Sequence, residues 1–198
     1  MNLPNQLTIA RVVMIPLFIL FFYLQFKGHY FVALAVFAIA SFTDFLDGHI
    51  ARKYNLITNL GKFLDPVADK ILVAAAMIVL LTVPQFFTIG LGSWVLIAAG
   101  CCVAVIMGRE LLVSGFRMVA ADARIVIASD KIGEYKTVTQ LISLLVLLAA
   151  GGLYEFLQDH LAVKIVDYVG LGFFALATLL TVISGINYVV KNIQVLKV

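Results

Sequence analysis

Six long apolar runs, separated by charged segments, set the terms for any fold this chain can adopt. They fall at about residues 12–26, 30–46, 66–83, 91–108, 137–154 and 165–190. Each has the length of a helix and none sustains a two-residue alternation, so helices are expected rather than barrel strands. A bilayer core about 30 Å thick takes a helix of about 20 residues, and six such spans with short connections use nearly all 198 residues. Of these residues, 63% are hydrophobic and only 13% charged, against roughly 25% charged in a soluble domain. A compact soluble sphere of that makeup would have too little polar surface. The expected fold is all-α: a polytopic membrane protein with six transmembrane helices, forming one integral-membrane domain over residues 1–198. The opening MNLPNQLTIAR lacks a basic n-region and a small-x-small cleavage site, so no removable signal peptide is expected.

Charge is distributed unevenly between the runs. Six spans put both termini on one side, together with the polar segments Asp44–Lys70 and Arg109–Lys136. That side holds twelve of the basic residues, from Arg11 to Lys197, and the other keeps only Lys27 and Lys164. The positive-inside rule then assigns both termini and both polar segments to the cytoplasm. The far side also carries Glu155, Asp159 and Asp167. Cys101 and Cys102 are adjacent in an apolar run, with no metal-ligand or redox spacing, and read as small apolar side chains. His29, His49 and His160 are too scattered to form a metal site. No internal repeat is evident, which disfavours an inverted-repeat transporter. No nucleic-acid partner is expected.

The chemistry-bearing pattern lies where two apolar runs meet the first polar segment. SFTDFLDGHIARK carries Asp44 and Asp47, and GKFLDPVADK carries Asp65 and Asp69. Acidic residues at membrane depth are costly and usually functional. On a helix, Asp44, Asp47, Gly48 and Ala51 share a stripe about 100° wide, and Gly61, Asp65 and Asp69 share one about 80° wide. Two such helices face to face would converge four carboxylates, and two divalent cations would relieve their repulsion. An all-oxygen set selects Mg²⁺ or Mn²⁺ before Zn²⁺. The small residues on the same stripes admit a bulky ligand, and Arg52 follows directly, able to meet phosphate bidentately. Together these features point to a nucleotide diphosphate. The structural alternative is solvated charge at span ends, with small residues serving helix packing. Pro66, between two of the aspartates, is expected to mark a helix start near Asp65 or a kink there.

The spacing D44-x-x-D47-G48-x-x-A51-R52, then eight residues, then G61-x-x-x-D65-x-x-x-D69, resembles the signature of the CDP-alcohol phosphatidyltransferases at all eight defining positions. The resemblance implies a six-helix membrane enzyme, a homodimer, with a two-metal site open to the cytoplasm, displacing CMP from a CDP-linked lipid by an alcohol. It implies that Asp44, Asp47, Asp65 and Asp69 bind metal and that Asp69 is also the general base. It assigns Gly48, Ala51, Arg52 and Gly61 to the nucleotide. NLPNQLTIARVVMIP at the start, GRELLVSGFR at 108–117 and SDKIGEYKTVTQ at 129–140 are similar to the branch of this family that uses sn-glycerol 3-phosphate with CDP-diacylglycerol in a bacterial cell membrane.

That branch turns attention to the second polar segment. Arg109, Arg117 and Lys136 adjoin spans and are candidates to hold the acceptor's dianionic phosphate. Arg124 and Lys131 read better as topology and anionic-lipid contacts. The branch commonly reads G-K-x-K-T here, whereas this chain has Gly133, Glu134, Tyr135, Lys136 and Thr137, which leaves Lys136 as the phosphate lysine. Asn5, Thr8 and Arg11 match the opening pattern; a helix cap and an interfacial anchor account for them equally well. Competing readings keep the chemistry with inositol phosphate or a phospholipid as acceptor. Others replace it with an aspartate-rich prenyltransferase, which fits the glycine and Ala-Arg positions poorly, or with a divalent-cation transporter.

Overall fold

The computed structural model describes residues 3–54, 59–83, 86, 92–122, 131–157 and 160–192, with side chains for all of these except 3–6, 44–54, 59–66, 121–122 and 160. The described residues form six long helices: α1 (Leu3–Tyr23), α2 (His29–Tyr54), α3 (Asn59–Leu81), α4 (Trp94–Asp122), α5 (Lys131–Phe156) and α6 (His160–Asn192). Three stretches are long and apolar enough to cross a bilayer, Trp94–Ala120, Lys131–Phe156 and Leu161–Asn192; the apolar parts described in α1 and α2, Leu7–Tyr23 and His29–Thr43, are shorter. The all-α expectation stands. Large apolar side chains such as Ile97, Leu111 and Ile186 point outward from the bundle, which suits lipid and not water.

The helices run past the apolar stretches in both directions. α4 continues from its apolar run through Arg109 and Arg117 to Asp122, and α5 already begins at Lys131. Hydropathy marks where lipid contact ends, while a helix continues as long as its backbone bonds and tertiary packing hold. The two segments taken as polar connections are therefore mostly helix. α3 likewise begins at Asn59, upstream of the start expected near Asp65, so Pro66 falls inside the helical stretch.

α3 packs against α1, α2, α4 and α5, and α6 packs against α4 and α5. The core between them is built from Phe18, Phe22 and Phe37 on α1 and α2, Leu72 and Leu80 on α3, and Leu144, Leu147 and Leu148 on α5. Near the end away from the aspartates, the rings of Phe22, Tyr30 and Phe86 meet edge to face or tilted at 5.1–6.0 Å. Gly151 on α5 makes that cluster fit: a Cβ there would lie 2.3 Å from the Phe86 ring. At the same end Tyr23 Oη and Thr82 Oγ1 are 2.8 Å apart.

Glu155 is tied into that end rather than lying loose in a connection. Its carboxylate accepts the Gly28 backbone N–H at 2.5 Å and sits 2.9 Å from His29 Nε2. Gly28 turns the chain with φ +93°, a conformation suited to glycine. Asp167 belongs to the last helix. α6 starts at His160, so Asp167 lies two turns inside it, fully buried on the stripe that continues through Gly170, Phe174 and Ala177. Antiparallel succession brings the starts of α1, α3 and α5 and the ends of α2, α4 and α6 to the opposite end, where the signature lies.

Candidate functional site

Helical backbone carries all four aspartates. Asp44 and Asp47 lie one turn apart late in α2, followed by Gly48, Ala51 and Arg52, while Gly61, Asp65 and Asp69 ascend α3 at four-residue intervals. α2 and α3 pack together. Except for Asp69, the side chains at these positions lie outside the described residues. Among the described residues no three His, Cys, Asp or Glu side chains form a metal-sized group; Asp69 is the one member of the proposed set among them. Its donor chemistry fits hard cations: a half-buried carboxylate, one turn from Asp65, on a helix packed against the one bearing Asp44 and Asp47.

Asp69 stands where two cavities meet. The larger, about 440 Å³, is walled by Asp69 and Lys70 of α3, Arg109, Glu110 and Arg117 of α4, Gly133, Glu134 and Thr137 of α5 and Tyr188 of α6. The smaller, about 80 Å³, shares Asp69, Lys70, Glu110 and Thr137 with it and adds Lys136, Met77 and Gln140. Asp69 therefore lines both cavities, and the three candidate phosphate cations divide between them, Lys136 on the smaller and Arg109 and Arg117 on the larger. Arg109 and Arg117 lie two turns apart on one face of α4, which is why both reach it.

Glu110 organises these cations. Its Oε1 accepts Lys136 Nζ at 2.7 Å and Arg109 Nη1 at 3.0 Å. Lys136 is 2% exposed, and a buried ammonium needs such a partner. Arg109 runs between two glycines of neighbouring helices: a Cβ on Gly133 would lie 3.2 Å from its Nη2, and one on Gly185 would lie 3.1 Å from its Cγ. Lys70 donates to Ser114 Oγ, which in turn donates to the Glu110 carbonyl at 2.6 Å. Arg117 is exposed at the rim. Thr8 and Arg11, one turn apart on α1, are both buried, Arg11 completely, so Arg11 is an interior charge and not an interfacial anchor. Asn5 lies within α1 rather than at its cap, with its side chain outside the described residues.

Among the polar wall residues, Lys70, Glu110, Gln140 and Tyr188 were not assigned to the site from sequence. Lys70 directly follows Asp69, Glu110 directly follows Arg109, and Gln140 follows Lys136 by one helical turn, so each carried a local signal. Tyr188 carried none; its hydroxyl is buried without a hydrogen-bond partner among the described residues.

Residues 1–186 match the description of the CDP-alcohol phosphatidyltransferase family. The chain belongs to that family. Similar proteins include the CDP-diacylglycerol--glycerol-3-phosphate 3-phosphatidyltransferase of Bacillus subtilis (strain 168), 38% identical over 99% of this chain and 97% of the relative. Proteins of the same name from Rickettsia typhi and Shigella flexneri serotype 5b are 37% and 36% identical, each over 94% of this chain and 94% and 92% of the relative.

Proposed function

We propose that this chain is the family's glycerol 3-phosphate transferase. It moves the phosphatidyl group of CDP-diacylglycerol to a hydroxyl of sn-glycerol 3-phosphate, forming phosphatidylglycerophosphate and CMP. The carrying observation is a carboxylate, Asp69, on the walls of two adjacent cavities, one of which it shares with Arg109 and Arg117 and the other with Lys136. A short acceptor with a dianionic phosphate at one end and a hydroxyl at the other needs both. The names of the near-full-length relatives support the same acceptor.

In this reading the donor's nucleotide end lies along Gly48, Ala51, Arg52 and Gly61. Asp44, Asp47, Asp65 and Asp69 hold two divalent cations, Mg²⁺ or Mn²⁺, which when bound neutralise the diphosphate and the departing CMP. Asp69 takes the proton of the attacking hydroxyl. The glycerol oxygen forms its bond to the phosphorus bearing diacylglycerol as the bond from that phosphorus to the CMP oxygen breaks, and CMP leaves with the electron pair. Arg109, Arg117 and Lys136 hold the acceptor phosphate, so the hydroxyl meets phosphorus with little orientational freedom. Buried Arg11, with Thr8 beside it and Asn5 one turn earlier, adds positive charge on α1, which packs on α2 and α3. Purified protein in detergent, given CDP-diacylglycerol, Mg²⁺ and one alcohol at a time, is expected to release CMP fastest with glycerol 3-phosphate and to stop on chelation. Faster release with inositol phosphate or a phospholipid would reassign the acceptor, and chelator-resistant release would remove the metals.

The same proposal places the single domain of residues 1–198 in the bacterial cell membrane as six spans and a homodimer, with both termini and the cavity facing the cytoplasm. Twelve of fourteen basic residues on the signature side support the orientation; the dimer rests on the family resemblance and is checked by its mass in detergent. With Cys101 and Cys102 replaced by alanine, a cysteine at exposed Gln25 is expected to react with an impermeant maleimide on intact cells. One at exposed Lys131 should react only after lysis. Labelling of both from outside would overturn the topology.

A further inference from the structure

The smaller cavity at Asp69 is sized for a short polyol, about 80 Å³ against about 10–15 Å³ for a single water. Two helices give it depth. α3 contributes Asp69, Val73 and Met77, each one turn below the last, and α5 contributes Lys136 and, one turn below it, Gln140. Gln140 is 2% exposed. Its Nε2 donates to Met77 Sδ at 3.2 Å, and a thioether is a weak acceptor for an amide that carries two N–H donors and two carbonyl lone pairs. Burying an amide so poorly matched costs free energy that an apolar side chain would not. The next buried positions along this face of α5 are Ser143, Leu144, Leu147 and Leu148, so an apolar residue would pack here readily. Ser143 differs from Gln140 in having a full partner, the Gly170 carbonyl at 2.9 Å.

We propose that Gln140 is a specificity residue that hydrogen-bonds the acceptor's second, non-reacting hydroxyl inside this cavity. The inference rests on the proposed function and extends it. With the phosphate held at Lys136 and the attacking hydroxyl at Asp69, the remaining hydroxyl of a three-carbon acceptor is directed one helical turn on, to the level of Met77 and Gln140, where Gln140 supplies the amide. A hydroxyl both donates and accepts, so either end of the amide completes the pair.

The test compares two acceptors that differ by that hydroxyl alone, glycerol 3-phosphate and 3-hydroxypropyl phosphate, by CMP release. Wild-type protein is expected to favour glycerol 3-phosphate in kcat/KM by about ten-fold or more, the worth of one buried hydrogen bond. In Gln140→Leu and Gln140→Met, both close in volume and apolar, the preference should fall to near unity. The ratio within each variant cancels any general loss of active protein. Undiminished preference in the variants overturns the role of Gln140 while leaving the acceptor standing. A wild-type enzyme that treats the two acceptors alike overturns it even if neither variant folds. Transfer to neither acceptor overturns the proposed function and this inference with it.

Discussion

Asp69→Asn is expected to lower kcat by about 10²–10⁴-fold, the range of positioned acid–base catalysis, with CDP-diacylglycerol still bound. Asparagine has nearly the shape of aspartate and can still donate and accept hydrogen bonds, but it cannot take the hydroxyl proton. The site is half-buried on a helix packed by four others, so an isosteric change leaves the fold and the cavity walls in place. Asp69 has two proposed duties, base and metal ligand, and a metal titration separates them. Where the loss is of a ligand, excess Mg²⁺ restores rate; where it is of the base, saturation with metal leaves kcat low. Asp44→Asn supplies the contrast, since it should raise the Mg²⁺ concentration needed for half-maximal rate as well as lowering the rate. Near-normal turnover by Asp69→Asn at saturating metal would remove the residue from proton transfer.

The signature was legible because helical periodicity is a local property. Asp44 with Asp47, and Asp65 with Asp69, fall on one face of any helix that contains them, whatever surrounds it. The cations were legible in kind for a similar reason: Arg109, Arg117 and Lys136 stand where apolar runs end. Their partner was not. Which anion meets Lys136 depends on the register of α4 against α5, and no pattern within either segment states that Glu110 and Lys136, 26 residues apart, share an ion pair. Tyr188 is more distant still, reaching the same cavity only because α6 folds back along α4. Helix ends were misjudged for the opposite reason: charge density between Arg109 and Lys136 made a polar segment of what is largely helix. The burial of Asp167 was not legible either: the sequence places it in the last apolar run as a far-side charge, and only tertiary packing makes it fully buried.

Alanine at Arg109 or Lys136 is expected to raise the KM for glycerol 3-phosphate about ten-fold or more, from a loss of about 1.5–3 kcal/mol per charge-assisted contact. The KM for CDP-diacylglycerol should change little. Arg117 should cost less, since it is exposed at the rim and exposed ion pairs contribute only about 0–1 kcal/mol. Free glycerol should be a very poor acceptor, offering these cations nothing to hold. Glu110→Ala separates charge from geometry because the two arguments have opposite signs. If only local charge governed the acceptor, removing a carboxylate beside Arg109 and Lys136 would tighten phosphate binding and lower its KM. If Glu110 fixes the cations, as its 2.7 Å and 3.0 Å contacts indicate, its loss frees both side chains and raises acceptor KM, with Glu110→Asp recovering part of the loss. A lowered acceptor KM in Glu110→Ala would leave the carboxylate as a brake on anion binding rather than its scaffold. Unchanged acceptor KM in all three cation variants would return Arg109, Arg117 and Lys136 to topology and lipid contact.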